Sequence, residues 1–68
     1  MGKHRQRIVI YPKDVVNITG FKLPAARKLL RQIRADLDKP PRAFITISEF
    51  ASYLRMPIAQ ILPFLDLG

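Results

Sequence analysis

The chain contains no cysteine, one histidine, three glycines and five acidic residues, and no uninterrupted apolar run exceeds four residues. Each shortage excludes a class of protein. Without cysteine there is no disulfide-stapled secreted fold, no thiolate zinc site, no thiol nucleophile and no redox pair. His4 alone builds no metal site, so neither a metal nor another cofactor is expected. The glycines are Gly2, Gly20 and Gly68, which leaves no glycine-rich loop to cradle a phosphate. Runs this short cannot make a membrane-spanning helix. The basic start is cut off at Pro12, Lys13 and Asp14 before any apolar region of signal-peptide length, and Arg5 and Gln6 do not suit a myristoylation signal. A cytoplasmic, nucleoid-associated protein with no membrane partner is the expectation.

The acids also argue against catalysis. General acid–base chemistry needs paired carboxylates or a histidine held in a pocket. Asp14, Asp36, Asp38, Glu49 and Asp66 are each accounted for as helix-start or surface residues, so no enzyme is expected.

Against these absences stand 68 residues, 49% hydrophobic, with twelve lysines and arginines and a formal charge of +7. A chain of this length forms one domain and buries only about 60% of its unfolded surface, which excludes a multidomain enzyme. The hydrophobic fraction is that of a folded protein rather than a basic tail. The charge is confined: residues 1–34 carry +8 and residues 35–68 carry −1. Such asymmetry implies a face for an anion. Nucleic acid is the first candidate, and an acidic protein or membrane surface the second.

The pattern predicts a mainly α domain of about four helices with two short β-strands. Residues 7–11 are β-branched and aromatic and read as a strand. Pro12 and Asp14 suit the first turn of a short helix over about 12–19, which turns Val15, Val16, Ile18 and Thr19 toward a core and stops at Gly20. Leu23, Ala26, Leu29, Leu30, Ile33 and Leu37 recur at steps of three and four within a helix over 22–37. Pro40 and Pro41 end it. Residues 43–47 form a second extended stretch that can pair antiparallel with the first. Thr46 and Glu49 have capping-box spacing before a helix over 48–54. A last helix, about 57–65, is kinked or shortened by Pro63. Phe21, Phe44, Phe50 and Phe64 all fall at positions expected to pack in the core.

A period of 35 relates the two halves. It sets Ile8 against Ala43, Ile10 against Ile45, Val15 against Phe50, Val16 against Ala51, Gly20 against Arg55, and Ala26 against Ile61. The expected division is a basic arm, 1–7, and a single domain over 8–68, expected from its charge to be DNA-binding, made of two units, 8–38 and 43–66. Each unit is a short helix, a tight break and a second helix.

Both units resemble the helix-turn-helix family. In the first, Val15, Gly20, Phe21, Ala26 and Leu29 fall on the motif's locking positions, with Val16 where a smaller residue is usual. In the second, Phe50, Ala51, Leu54, Met56, Ile61 and Phe64 do so, although Arg55 replaces the turn glycine and Pro63 interrupts the second helix. The run from Tyr11 to Lys39, followed by Phe44 to Leu54, is also similar to small excisionase-like regulators of mobile elements in Bacteroidetes-type bacteria. That likeness covers about residues 8–66 and implies sequence-specific binding of double-stranded DNA by a transcriptional regulator or accessory factor.

The residues themselves favour the first unit for that work. The helix over 57–65 offers only Gln60 as a polar side chain. The helix over 22–37 carries Lys22, Ala25, Arg27 and Lys28 early, where base edges are within reach, and Arg31 and Arg34 later, where phosphates are. Lys3, Arg5 and Arg7 form an arm able to follow the backbone or enter a minor groove. The second unit then completes the core or provides a surface for a homodimer or a partner protein. The alternative is a non-catalytic interaction module whose basic face grips an acidic partner. RNA is a third candidate, disfavoured by the lack of a run of aromatics on a strand.

Overall fold

The computed structural model describes residues 9–65. In chain order these form β1 (Val9–Ile10), α1 (Pro12–Thr19), α2 (Leu23–Asp36), β2 (Ile45–Thr46), α3 (Ile47–Leu54), α4 (Ile58–Ile61) and a 3-10 turn (Leu62–Phe64). The protein is a small, mainly helical domain with four helices and two short antiparallel strands among the described residues. The basic arm with Lys3, Arg5 and Arg7 lies outside them.

Local chemistry sets each boundary. Pro12 opens α1, where its missing N–H costs nothing, and the Asp14 carboxylate accepts the Tyr11 N–H at 2.8 Å. At the other end Gly20 adopts φ 80°, and its N–H closes on the Val16 carbonyl at 2.9 Å. In α3 the capping box predicted from Thr46 and Glu49 is complete: each side chain accepts the other's backbone N–H at 2.9 Å. Helix α3 begins at Ile47, one residue before the expected start. Helix α2 stops at Asp36, before the prolines reach it. Asp38 at φ 58° lets the Lys39 N–H bond the Arg34 carbonyl and the Asp38 N–H bond that of Ala35, a Schellman closure. Pro63 acts as expected: α4 ends at Ile61 and the chain continues as the 3-10 turn. The strands are shorter than the extended runs suggested, each holding two residues.

The 35-residue offset recurs in these boundaries. Helices α1 and α3 are displaced by 35 at both ends, and α2 and α4 at their starts. The helix stops correspond too, since Arg55 takes the left-handed conformation of Gly20 (φ 57°, ψ 42°). Burial follows the same offset: Ile10 and Ile45, Val15 and Phe50, Ala26 and Ile61, and Leu30 and Leu65 are all core. The strand register sets Ile10 opposite Ile45 and Val9 opposite Thr46, so each unit's strand faces its counterpart.

Three of the four phenylalanines leave the core expected for them. Phe50 is fully buried, whereas Phe21, Phe44 and Phe64 are exposed, and so are Leu23 and Leu37 at the ends of α2. The core between two small units is narrow. It is filled by Ile10 and Ile45 of the strands and by one side of each helix, and Phe21, Phe44, Phe64, Leu23 and Leu37 lie outside it.

The two left-handed stops give a test. A Cβ at Gly20 would meet nothing within 4 Å, so its cost is the backbone's alone. Gly20→Ala is expected to destabilise by about 1–2 kcal/mol. Arg55→Gly, which relieves the same conformation, is expected to raise the thermal midpoint. Circular-dichroism melts of both variants decide this, and equal melts would mean the left-handed stop carries no energetic weight.

Candidate nucleic-acid interface

Helix α2 presents the cations. Ala26, Leu30 and Ile33 are its buried side, packed on α1 and on β2. Arg27, Arg31 and Arg34 follow at steps of four and three along one flank, and Lys28 sits about 100° further round, toward solvent. Lys22 caps the helix through an extended backbone, and Ala25 is exposed in its first turn. Lys22, Arg27, Lys28 and Arg31 are exposed, and none has a carboxylate within ion-pair distance among the described residues. Four exposed cations and a small methyl thus lie along one helix and its N-cap, with no carboxylate within ion-pair distance among the described residues.

Arg34 differs from the rest of this set. It is half-buried and donates from its Nη1 to the Pro41 carbonyl at 3.2 Å, while its Nε is buried with no hydrogen-bond partner. Two shallow clefts flank it. One is lined by Arg31, Arg34, Ala35, Lys39 and Pro41, the other by Pro12, Arg27, Leu30, Arg31 and Arg34. The guanidinium therefore sits between the start of α1 and the loop that follows α2, fixed at one edge of the basic flank.

The acids hold the frame together at the end of α2 and the start of α3. Lys39 donates to the Phe44 carbonyl at 2.9 Å and pairs with Glu49 at 2.6 Å, joining the loop after α2 to the start of α3. The Tyr53 hydroxyl donates to Asp36, tying α3 to the end of α2. That bond holds the Tyr53 phenol above its usual range, because it stabilises the protonated form. The bond from Lys39, helped by the Thr46 N–H, holds the Glu49 carboxyl below its ordinary value of 4.5.

A depressed folded value means that the stabilisation from Glu49 is present above the ordinary value and is lost as pH falls through the lower folded one. The wild-type thermal midpoint should drop on acidification through that window more than that of Glu49→Gln. Parallel acid branches for the two chains would remove the ion pair from the stability of the fold.

Among the described residues the second unit has no such face. At the positions equivalent to Leu23, Arg27, Lys28 and Leu29 it places Ile58, Leu62, Pro63 and Phe64, all exposed. The offset preserved in the core is therefore not preserved in surface chemistry. No group of three or more histidines, cysteines or acids able to hold a metal ion occurs among the described residues, and none of their helices is long and apolar enough to cross a membrane.

Sequence reasoning missed an aromatic contact in this region. Tyr11 and Phe44 meet edge to face with ring centroids 6.3 Å apart, and both are exposed. Extending the strand register by one step past Ile10 and Ile45 brings these two residues opposite each other. The register was the missing signal.

Compared with protein-family models, with curated proteins and with solved structures, the chain gives no match.

Proposed function

We propose that the protein binds double-stranded DNA in a sequence-specific way, laying α2 in the major groove. It acts as a regulator or accessory factor without chemistry of its own. The observation that carries this reading is the set of Lys22, Arg27, Lys28 and Arg31, exposed together along a helix of 14 residues and its N-cap, with no acid paired to them among the described residues. A helix of that length enters a major groove. Arginine and lysine there reach guanine edges or phosphates, and a small residue such as Ala25 suits a thymine methyl. The glycine stop at the end of α1 supports the same reading, because it turns the chain so that α2 packs on α1 with its basic flank outward. The test is a salt titration of duplex binding. Phosphate contacts release counterions, so affinity should fall steeply as salt rises. Affinity that holds constant between low and moderate salt would sink the reading.

A protein partner is the second reading, and it has its own observation. Ile58, Leu62 and Phe64 are exposed together in the second unit. They suit a homodimer or a partner protein, whereas the basic flank would suit an acidic one. Sedimentation across a range of protein concentrations separates a self-associating chain from a monomer.

A further inference from the structure

Among the described residues Phe44 is the most exposed of the large apolar side chains, at 63%, and it directly precedes β2. Its carbonyl accepts from the Lys39 ammonium, the next residue pairs with Ile10 in the sheet, and its ring rests against the edge of Tyr11, itself 40% exposed. A bare phenylalanine fixed at three points is held out toward solvent rather than left over from packing.

Two clefts lined by arginines lie beside the residues that hold this pair, although Lys39 in one of them is already paired with Glu49. Tyr11 precedes Pro12, which lines one cleft beside Arg27, Arg31 and Arg34. Lys39, which holds the Phe44 carbonyl, lines the other cleft with Arg31 and Arg34. The residues next to the aromatic pair, Pro12 after Tyr11 and Lys39 on the Phe44 carbonyl, thus line the clefts that Arg31 and Arg34 also line. The ligand that matches an apolar ring beside a row of arginines is a base step inside its phosphate frame: the cations take the backbone and the ring takes the stacked faces.

The geometry points to Phe44 as a wedge that enters a base step of the bound DNA and kinks the duplex, with Tyr11 bracing it from behind. This rests on the DNA-binding reading above and adds to it a deformation of the DNA. Stacked bases resist insertion, and a rigid apolar side chain driven in by neighbouring phosphate contacts offsets that cost. Arg31 lies in both clefts and has no carboxylate partner among the described residues, so it is placed to supply such a contact.

The test uses a short duplex selected by the full chain from a random pool, labelled at both ends for energy transfer. Wild-type protein should bend it by about 20–90°. Phe44→Ala should abolish most of the bend and weaken binding roughly tenfold, with the salt slope unchanged. Phe44→Leu, which keeps an apolar wedge, should restore much of the bend. Phe64→Ala removes the same ring from the other unit and should leave the bend as in the wild type. Melts of the variants separate a lost wedge from a lost fold. An unbent wild-type complex, or equal bends for wild type and Phe44→Ala, overturns the wedge while salt-dependent binding keeps the DNA reading standing. Failure of the chain to select any duplex overturns both.

Discussion

Phe50→Ala should leave most of the chain unfolded at room temperature, whereas Phe44→Ala and Phe64→Ala should melt close to the wild type. Phe50 is fully buried in the middle of α3, among Val15, Ile33, Ile45 and Ile61, which are as inaccessible as it is. Truncating a buried phenylalanine costs about 3–5 kcal/mol, because the lost transfer energy adds to that of the cavity left behind. A domain of this size holds only about 3–10 kcal/mol in total. The loss is therefore comparable with the whole stability. Phe44 and Phe64 project into solvent, and surface substitutions of that kind shift stability by about 0.5 kcal/mol or less. Thermal melts followed by circular dichroism report all three. A Phe64→Ala variant as unstable as Phe50→Ala would mean that the 3-10 turn closes over the core more tightly than its exposure shows.

That contrast marks what periodicity carries and what it does not. Spacing identified the helices, because stops and starts are local chemistry: Pro12 and Asp14 before α1, Gly20 after it, Thr46 with Glu49 before α3, and Pro63 after α4. The offset of 35 was legible for the same reason, since it aligns one local signal with another. Periodicity also names the apolar side of an element, but not whether anything covers it. Phe21, Phe44 and Phe64 occupy apolar positions at a break, a strand end and a 3-10 turn, and the opposing unit does not extend over them. The basic flank was readable because Arg27, Arg31 and Arg34 lie on one helix. The capture of Arg34 by the Pro41 carbonyl was not, because it depends on how the loop after α2 folds back. The apposition of Tyr11 and Phe44 depends on strand register, and two-residue strands leave too little pattern to set a register from sequence.

Arg31→Ala and Lys28→Ala should weaken DNA binding in different ways, and the difference tests the assignment of α2 to the groove. If Lys22, Arg27, Lys28 and Arg31 all met phosphates, the fourfold salt increase from low to moderate strength would weaken binding on the order of a hundredfold. Removing one such contact lowers the slope of log affinity against log salt by about 0.9. Arg31 lies a turn beyond Arg27 on the flank that borders both clefts, so its loss should reduce the slope and weaken binding evenly across sequences. Lys28 is exposed in the first half of α2, the part that the proposed docking sets against base edges. Its loss should reduce discrimination at one base position by about 1–3 kcal/mol. Arg34 is a poorer probe, since its side chain also holds the loop at Pro41 and its removal disturbs the fold. Titrations of both variants against a selected duplex and a scrambled one separate the readings. If each variant loses the same factor on both duplexes with the same change in slope, the cations act only as charge. The basic flank would then be a generic anionic surface contact, as an acidic protein partner requires, and α2 would not be a reader of bases.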